Sequence, residues 1–100
     1  MKTQSYRHNL EIIASILEEC RSPRIISEIS RHTNLSHDAA SRRTRLLTAN
    51  GLLELKASVR KKGHSGNPKH VREYLITQKG MEILQRYDRL KELLRVGFSD

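Results

Sequence analysis

The 100-residue sequence predicts a single, mainly helical α+β domain, and three patterns support this prediction. Through the first fifty residues, apolar side chains recur at steps of three and four, as they do on one face of a helix. After Gly51 the period changes to two, which is typical of strands. Helical spacing returns after Thr77. The predicted order is therefore three helices, two strands and a final helix.

The first helix is predicted from about Tyr6 to Cys20 and the second from about Arg24 to Thr33. Each carries a stripe of apolar residues that is typical of a face packed in a core. Pro23 separates the two helices, because proline disfavours helical geometry at the residue before it. Cys20 ends the first stripe and is expected to be buried and inert. The alternative is a redox-active thiol whose pKa is lowered by Arg21.

The third helix is predicted over residues 37–50. Ser36 is placed to cap it, since its hydroxyl can accept a hydrogen bond from a free backbone N–H of the first turn. Ala40, Thr44 and Leu47 are predicted to face inward. The opposite face is polar and mostly basic, and Arg43 lies at its edge. The residues of that face are His37, Asp38, Ser41, Arg42 and Arg45.

Two strands are predicted over residues 53–57 and 71–76, where apolar residues alternate with charged ones or β-branched and aromatic residues are frequent. The segment between them, residues 58–70, contains glycine, serine, asparagine and proline, which are typical of turns. It is predicted to form a long loop at the tip of a hairpin. The loop is also basic, with Arg60, Lys61, Lys62 and Lys69.

The last helix is predicted from Thr77, as its N-cap, to about Arg95. Apolar residues recur along it at steps of four, three and four, which is the a/d spacing of a short coiled coil. This seam predicts a dimer interface, and the alternative is that it packs on the first helix of the same chain. The seam comprises Ile83, Tyr87, Leu90 and Leu94.

Positive charge is concentrated in the middle of the chain. The formal net charge is +8, and residues 21–72 alone carry twelve basic and three acidic side chains. The flanking segments are close to neutral. A localised basic surface is typical of a protein that binds a polyanion, most often nucleic acid. A solvated basic surface without a partner is the alternative.

Three helices followed by a hairpin, with the basic residues on the third helix and the hairpin tip, is the order of a winged helix. An α-helix fits the major groove of duplex DNA, and a basic loop beside it can contact phosphates. We therefore expect residues 37–50 to be a recognition helix in the major groove and residues 58–70 to be a wing on the DNA backbone. The predicted DNA contacts are His37, Ser41, Arg42, Arg43, Arg45, Arg60, Lys61, Lys62 and Lys69.

The sequence also resembles known proteins at two places. Residues 35–42 and 50–53 look like the helix-turn-helix core of prokaryotic winged-helix regulators. Residues 74–80 look like the strand-to-helix junction of small archaeal winged-helix proteins. The closest resemblance is to the ten-kilodalton archaeal DNA-binding proteins first known from Sulfolobus, over about Leu10 to Leu94. The hairpin here is longer and more basic than is usual in that family, and Thr44 stands where a larger apolar residue is usual.

That resemblance implies duplex DNA binding, as a chromatin-type protein or a transcriptional regulator. It also implies a homodimer formed by an antiparallel coiled coil of the last helices. Residues 1–76 are then the DNA-binding domain and residues 77–96 the dimerisation segment. A winged helix that acts as a protein–protein adaptor for an acidic partner is the alternative function. Binding to double-stranded RNA is disfavoured, because the major groove of an A-form duplex does not admit a helix.

Several other classes of protein are not expected from the sequence. The longest apolar run is three residues, as in 12–14, so no segment is expected to span a membrane, and the polar N-terminus is unlike a signal peptide. The single cysteine excludes an intramolecular disulfide, and the five histidines lack the spacing of metal ligands. No enzyme motif is recognised. We therefore expect a non-enzymatic protein without metal or cofactor, located in the cytoplasm and associated with the nucleoid.

Overall fold

The computed structural model of the protein describes the backbone of residues 3–61 and 67–97, and the side chains of residues 9–60 and 67–94. The expected mainly helical α+β class is confirmed, with a two-stranded antiparallel sheet. The elements are α1 (Thr3–Glu19), α2 (Ile26–Thr33), α3 (His37–Ala49), β1 (Leu53–Lys61), β2 (Pro68–Ile76) and α4 (Gln78–Gly97).

The buried core lies where the four helices meet the base of the hairpin. Ile16, Ile29, Leu47, Leu53 and Leu84 come from five different elements, and each is at most 4% exposed. Burying large aliphatic side chains stabilises a fold by about 1.5–3 kcal/mol each. The helices are therefore held together mainly by apolar packing around this one cluster.

Cys20 is fully buried in the same cluster, as its place on the apolar stripe predicts. Burial, and to a smaller degree the neighbouring Glu19 carboxylate, raises the pKa of Cys20 to about 12. The side chain is therefore a protonated thiol at neutral pH, and it packs as a small apolar group.

The second helix begins two residues later than predicted. Arg24 does not join α2; its backbone pairs with Tyr74 in an antiparallel bridge, with N···O distances of 3.0 and 2.7 Å. In the first turn of a helix the Arg24 N–H would have no backbone acceptor, whereas the edge of β2 offers hydrogen-bond partners for both its N–H and its carbonyl. α2 then begins at Ile26, and the Glu28 carboxylate accepts a hydrogen bond from the Ile25 N–H at 3.0 Å.

The third helix forms as predicted. The Ser36 hydroxyl accepts a hydrogen bond from the Ala39 N–H at 3.1 Å, which confirms the N-cap. Ala40, Thr44 and Leu47 are all buried, which confirms the inward face. The Thr44 hydroxyl is satisfied there by donating to the Ser41 carbonyl at 3.1 Å, so a polar residue is accommodated in the core without an unpaired group.

The strands of the hairpin are longer than predicted. They pair without interruption from Leu53 with Ile76 to Lys61 with Pro68. Residues 58–61 and 68–70, predicted as loop, are therefore strand. Val59 continues the alternation of β1 beyond the predicted end, and Pro68 occupies the first position of β2, where a proline is tolerated.

The root of the hairpin is joined tightly to the start of α4. The Thr77 hydroxyl donates to the Gly51 carbonyl at 2.6 Å and accepts from the Gly80 N–H at 3.0 Å, which confirms Thr77 as the N-cap. The Thr77 N–H donates to the Leu52 carbonyl at 3.0 Å. A Cβ atom on Gly80 would lie 2.3 Å from the Leu52 carbonyl oxygen and 2.7 Å from Ile76 Cγ1. Only glycine allows this approach.

Replacing Gly80 by alanine should destabilise the protein. Helix propensity alone favours alanine by about 1 kcal/mol. The clash with the Leu52 carbonyl should outweigh this and lower the free energy of unfolding by about 1–3 kcal/mol. Urea unfolding followed by circular dichroism measures the change. Gln85→Ala, at an exposed position of the same helix, is the control, and a Gly80→Ala variant as stable as that control would contradict the close approach.

Candidate nucleic-acid interface

Arg42 and Arg45 lie on the exposed face of α3, opposite its buried face. The Arg42 side chain is 69% exposed, and its Nε lies 3.7 Å from the Asp38 carboxylate one turn earlier. A pair as exposed as this one adds little stability, so the guanidinium is free to exchange partners. Among the described residues, Arg45 forms no ion pair. Both groups can therefore reach an anion that approaches α3.

The other three predicted contact residues of α3 differ from each other in solvent exposure. His37 is exposed in the first turn, whereas Ser41 is half-buried. Arg43 is also half-buried, and its Nη2 donates a hydrogen bond to Asn9 Oδ1 at 2.7 Å. Arg43 therefore ties α3 to α1 and lies away from the side of Arg42 and Arg45.

Leu46 is a residue of this face that the sequence analysis missed. It is 62% exposed, and it lies one turn after Arg42 and next to Arg45. The three- and four-residue spacing from Arg42 is the signal that places it there. An apolar side chain beside a guanidinium group is suited to a nucleic-acid surface, because thymine presents a methyl group in the major groove beside hydrogen-bonding base edges.

The hairpin adds a second group of cations. Lys69 is exposed on β2, and Lys56 and Arg72, which were not among the predicted contacts, are exposed as well. Of Lys61 only the backbone is described, and Lys62 lies outside the described residues. Lys69 lies on a strand because pairing extends further from the core than predicted, whereas Lys56 and Arg72 lie within the predicted strands.

Arg60 stands apart from the other predicted contacts, because carboxylates surround its guanidinium. Its Nε donates to Glu73 at 2.7 Å, and Nη1 and Nη2 donate to the two carboxylate oxygens of Glu28 at 2.9 and 3.2 Å. Nη2 also reaches the Pro23 carbonyl at 3.4 Å. The hydrogen bonds from Arg60 lower the pKa of both Glu28 and Glu73 from the ordinary value. The donors that were expected to meet a phosphate are thus engaged within the protein.

The apolar seam of α4 is largely exposed in the single chain. Ile83, Leu90 and Leu94 are each 40–53% exposed, so about half of each of these side chains is open to solvent in the single chain. Tyr87 is half-buried, with the Lys91 ammonium 5.6 Å from its ring centre. The contact with the core is made by Leu84, on the neighbouring face of the helix.

Among the side chains of residues 9–60 and 67–94, no group of three or more histidines, cysteines or acidic residues is arranged to hold a metal ion. The backbone is described over residues 3–61 and 67–97. No helix in these ranges is long and apolar enough to cross a membrane.

The sequence and the fold of this chain were compared with those of known proteins. A family model described as winged helix-turn-helix matches residues 6–95. A variant of ZitR from Lactococcus lactis is similar in structure, with a TM-score of 0.61 and 16% identity, over 88% of this chain and 56% of that chain. A possible transcriptional regulator from Methanosarcina mazei Go1 has a TM-score of 0.50 and 22% identity, over 88% of this chain and 75% of that chain. No curated protein matches the sequence.

At these identities the two structures show similarity of fold alone. The chain spans little more than half the length of ZitR.

Acid should weaken the attachment of Arg60. Because the pKa values of Glu28 and Glu73 are lower in the folded protein than their ordinary value of 4.5, their contribution to stability is complete above about pH 4.5. It is lost as the pH falls through the folded-state values, since the unfolded chain then binds more protons. The free energy of unfolding, measured with urea between pH 7 and pH 2.5, should fall less steeply in the Glu28→Gln, Glu73→Gln double variant. Equal slopes would show that the two carboxylates are not held by Arg60.

Proposed function

The chain belongs to the winged helix-turn-helix family, and from this we propose that it binds duplex DNA as a transcriptional regulator or chromatin-type protein. The observation that carries the proposal is the exposed face of α3. Arg42, Arg45 and Leu46 project from a helix whose opposite side is buried in the core. A side chain on so well-anchored a helix can be presented to base edges at a defined position.

The length and capping of α3 suit entry into the major groove. Its 13 residues span about 20 Å, at about 1.5 Å per residue. Ser36 caps the N-terminus, so His37, Ser41 and Arg42 lie in the first turns, which in helix-turn-helix proteins contact bases. In this proposal Arg42 and Arg45 bind guanine edges or phosphates, and Leu46 packs against a thymine methyl group.

The wing is proposed to bind the DNA backbone. Lys69 on β2 is exposed, and Lys61, the last residue of β1, pairs with the neighbouring Pro68 at the same end of the hairpin. Lys62 follows in the sequence. Lys56 and Arg72 join them as additional candidates because both are exposed on the strands. Lysine binds phosphate as a point charge without reading sequence, so these contacts add affinity and salt dependence rather than specificity.

We also propose that α4 forms a homodimer. Ile83, Leu90 and Leu94 expose an apolar stripe to solvent, and a second copy of the same helix would cover it. Residues 77–96 are then the dimerisation segment of a DNA-binding domain formed by residues 1–76. The narrower resemblance to the ten-kilodalton archaeal proteins belongs to this part of the proposal, because that resemblance implies a homodimer formed by the last helices.

The regulatory role has support from one neighbour. The Methanosarcina mazei protein is described as a possible transcriptional regulator, and this chain covers 75% of it. A chromatin-type role would differ in lacking sequence preference, so selection of binding sites from random duplexes separates the two roles.

The first test measures binding to a DNA duplex of random sequence by fluorescence anisotropy, at several salt concentrations. Each phosphate that is neutralised adds about −0.9 to the slope of log affinity against log salt, so five contacts should give about −4.5. A flat and weak response would favour the adaptor function, with an acidic protein as the partner. Equal competition by an RNA duplex would contradict major-groove entry, because the A-form groove excludes a helix.

Replacing both Arg42 and Arg45 by alanine should lower affinity and abolish any sequence preference. The slope should also become shallower by up to about 1.8, if both groups meet phosphates or displace counterions. Arg86→Ala with Arg89→Ala removes the same charge from exposed positions on α4 and is the matched control. If the two double variants bind alike, α3 does not read the DNA.

Replacing Leu90 by glutamate should convert the proposed dimer to a monomer. A carboxylate in the apolar seam would lose its hydration without gaining a partner. Sedimentation velocity should show a mass of about twice 11.6 kDa for the parent protein and 11.6 kDa for the variant. Gln85→Glu adds the same charge at an exposed position of α4 outside the seam, and it should remain dimeric. A monomeric parent protein would overturn the interface.

A further inference from the structure

We propose that Arg60 does not contact DNA but positions the wing, by binding Glu28 at the start of α2 and Glu73 on β2. The inference rests on the proposed DNA binding for its functional consequence. Its structural part, the attachment of the hairpin to α2, stands on the contacts of the free protein.

The hairpin needs such an attachment because its outer half lies far from the core. Arg60 is seven residues beyond Leu53, the buried residue at the base of β1, which is a path of about 23 Å along a strand. A two-stranded hairpin is only marginally stable on its own, and its ends can bend. The bridge between Arg24 and Tyr74 joins the inner part of the hairpin to the residues before α2. Arg60 supplies a second attachment further out, and two attachments define the direction of the wing.

The partner on α2 is itself held in place. The Glu28 carboxylate that binds Arg60 also accepts the Ile25 N–H at 3.0 Å, in the first turn of α2. Ile29, the next residue, is fully buried in the core. α2 connects to α3 through Asn34, which takes the left-handed conformation, and through the Ser36 cap. The wing is thereby attached to the same rigid unit that carries α3.

The local charge argues against a phosphate contact by Arg60. One guanidinium lies between two carboxylates, so the group of three carries a net charge of −1. The side chain is only 33% exposed, and its donors already have carboxylate and carbonyl partners. Arginine pairs of this kind are directional because the planar guanidinium presents its donors at fixed angles. An approaching phosphate would have to displace Glu28 or Glu73 and would meet the displaced negative charge.

Glu28→Gln separates positioning from phosphate contact because the two roles predict opposite signs. Glutamine keeps an oxygen that can accept the Ile25 N–H, so the start of α2 is preserved. If Arg60 served as a phosphate contact, loss of the Glu28 charge would strengthen DNA binding and steepen the salt slope by up to about 0.9. If Arg60 positions the wing, binding should weaken about threefold, the size expected for a partly exposed ion pair, with the slope unchanged.

Two matched variants complete the measurement. Glu54→Gln removes the same charge from an exposed position of β1 and should not weaken binding. Arg60→Gln should weaken binding at least as much as Glu28→Gln, because it also removes the contact with Glu73. The double variant should be no weaker than Arg60→Gln alone, since that substitution already removes the contact with Glu28. Lys69→Gln, directly across from Arg60 on β2, should instead make the slope shallower by about 0.9.

A second readout does not depend on DNA. Spin labels on Ser27→Cys in α2 and Val59→Cys in β1, both exposed positions, report the distance between α2 and the wing in the free protein. The distance distribution should broaden when Arg60→Gln is added and should not change with Glu54→Gln. Thermal unfolding of the same variants checks that the core is intact.

Stronger binding by Glu28→Gln with a steeper slope, or binding and label distances that match the parent protein in both Glu28→Gln and Arg60→Gln, would overturn the proposal. Weaker binding with an unchanged slope and a broadened distance distribution would support it. If the parent protein binds no duplex at any salt concentration, the proposed function fails, and the label distances alone decide whether Arg60 holds the wing.

Discussion

The contact between Gly80 and the Leu52 carbonyl is the constraint on which the arrangement of the molecule depends. At this point the chain leaving α3, the base of the hairpin and the start of α4 meet, and the Thr77 N–H donates a hydrogen bond to the Leu52 carbonyl. The Ile76 N–H donates to the carbonyl of Cys20, the residue that follows α1, at 2.8 Å. A side chain on Gly80 would push these segments apart. α3, the hairpin and α4 therefore meet at one junction, and their relative directions follow from it.

The basic residues of the molecule have two different physical roles. Arg43 and Arg60 are half-buried and are bound by other parts of the chain, so their charges serve to connect elements. Arg42, Arg45 and Lys69 are exposed, as are Lys56 and Arg72, and the charges of these side chains are available to a partner. A high net positive charge thus overstates the number of cations that can meet a phosphate, because carboxylates and amides within the fold already satisfy part of it.

The C-terminal helix uses two neighbouring faces for different purposes. Gly80 and Leu84 fix it to the core, while Ile83, Leu90 and Leu94 remain exposed. In the proposed dimer, one helix would therefore connect the DNA-binding head directly to the interface, without a flexible linker between them. The spacing of two heads on DNA would then be set by the packing of α4, since a rigid helix transmits its orientation along its length.

Much of this fold is determined by sequence alone, because the signals concerned act over a few residues. Ser36 and Thr77 cap helices through hydrogen bonds three residues away, and the inward face of α3 follows from helical periodicity. Only the tertiary structure decided the extent of the hairpin and the partners of the arginines. Arg43 meets Asn9 across 34 residues of sequence, and Arg60 meets Glu28 across 32. A basic residue has the same local pattern whether it faces solvent or a distant carboxylate, so its role depends on which segments the fold brings together.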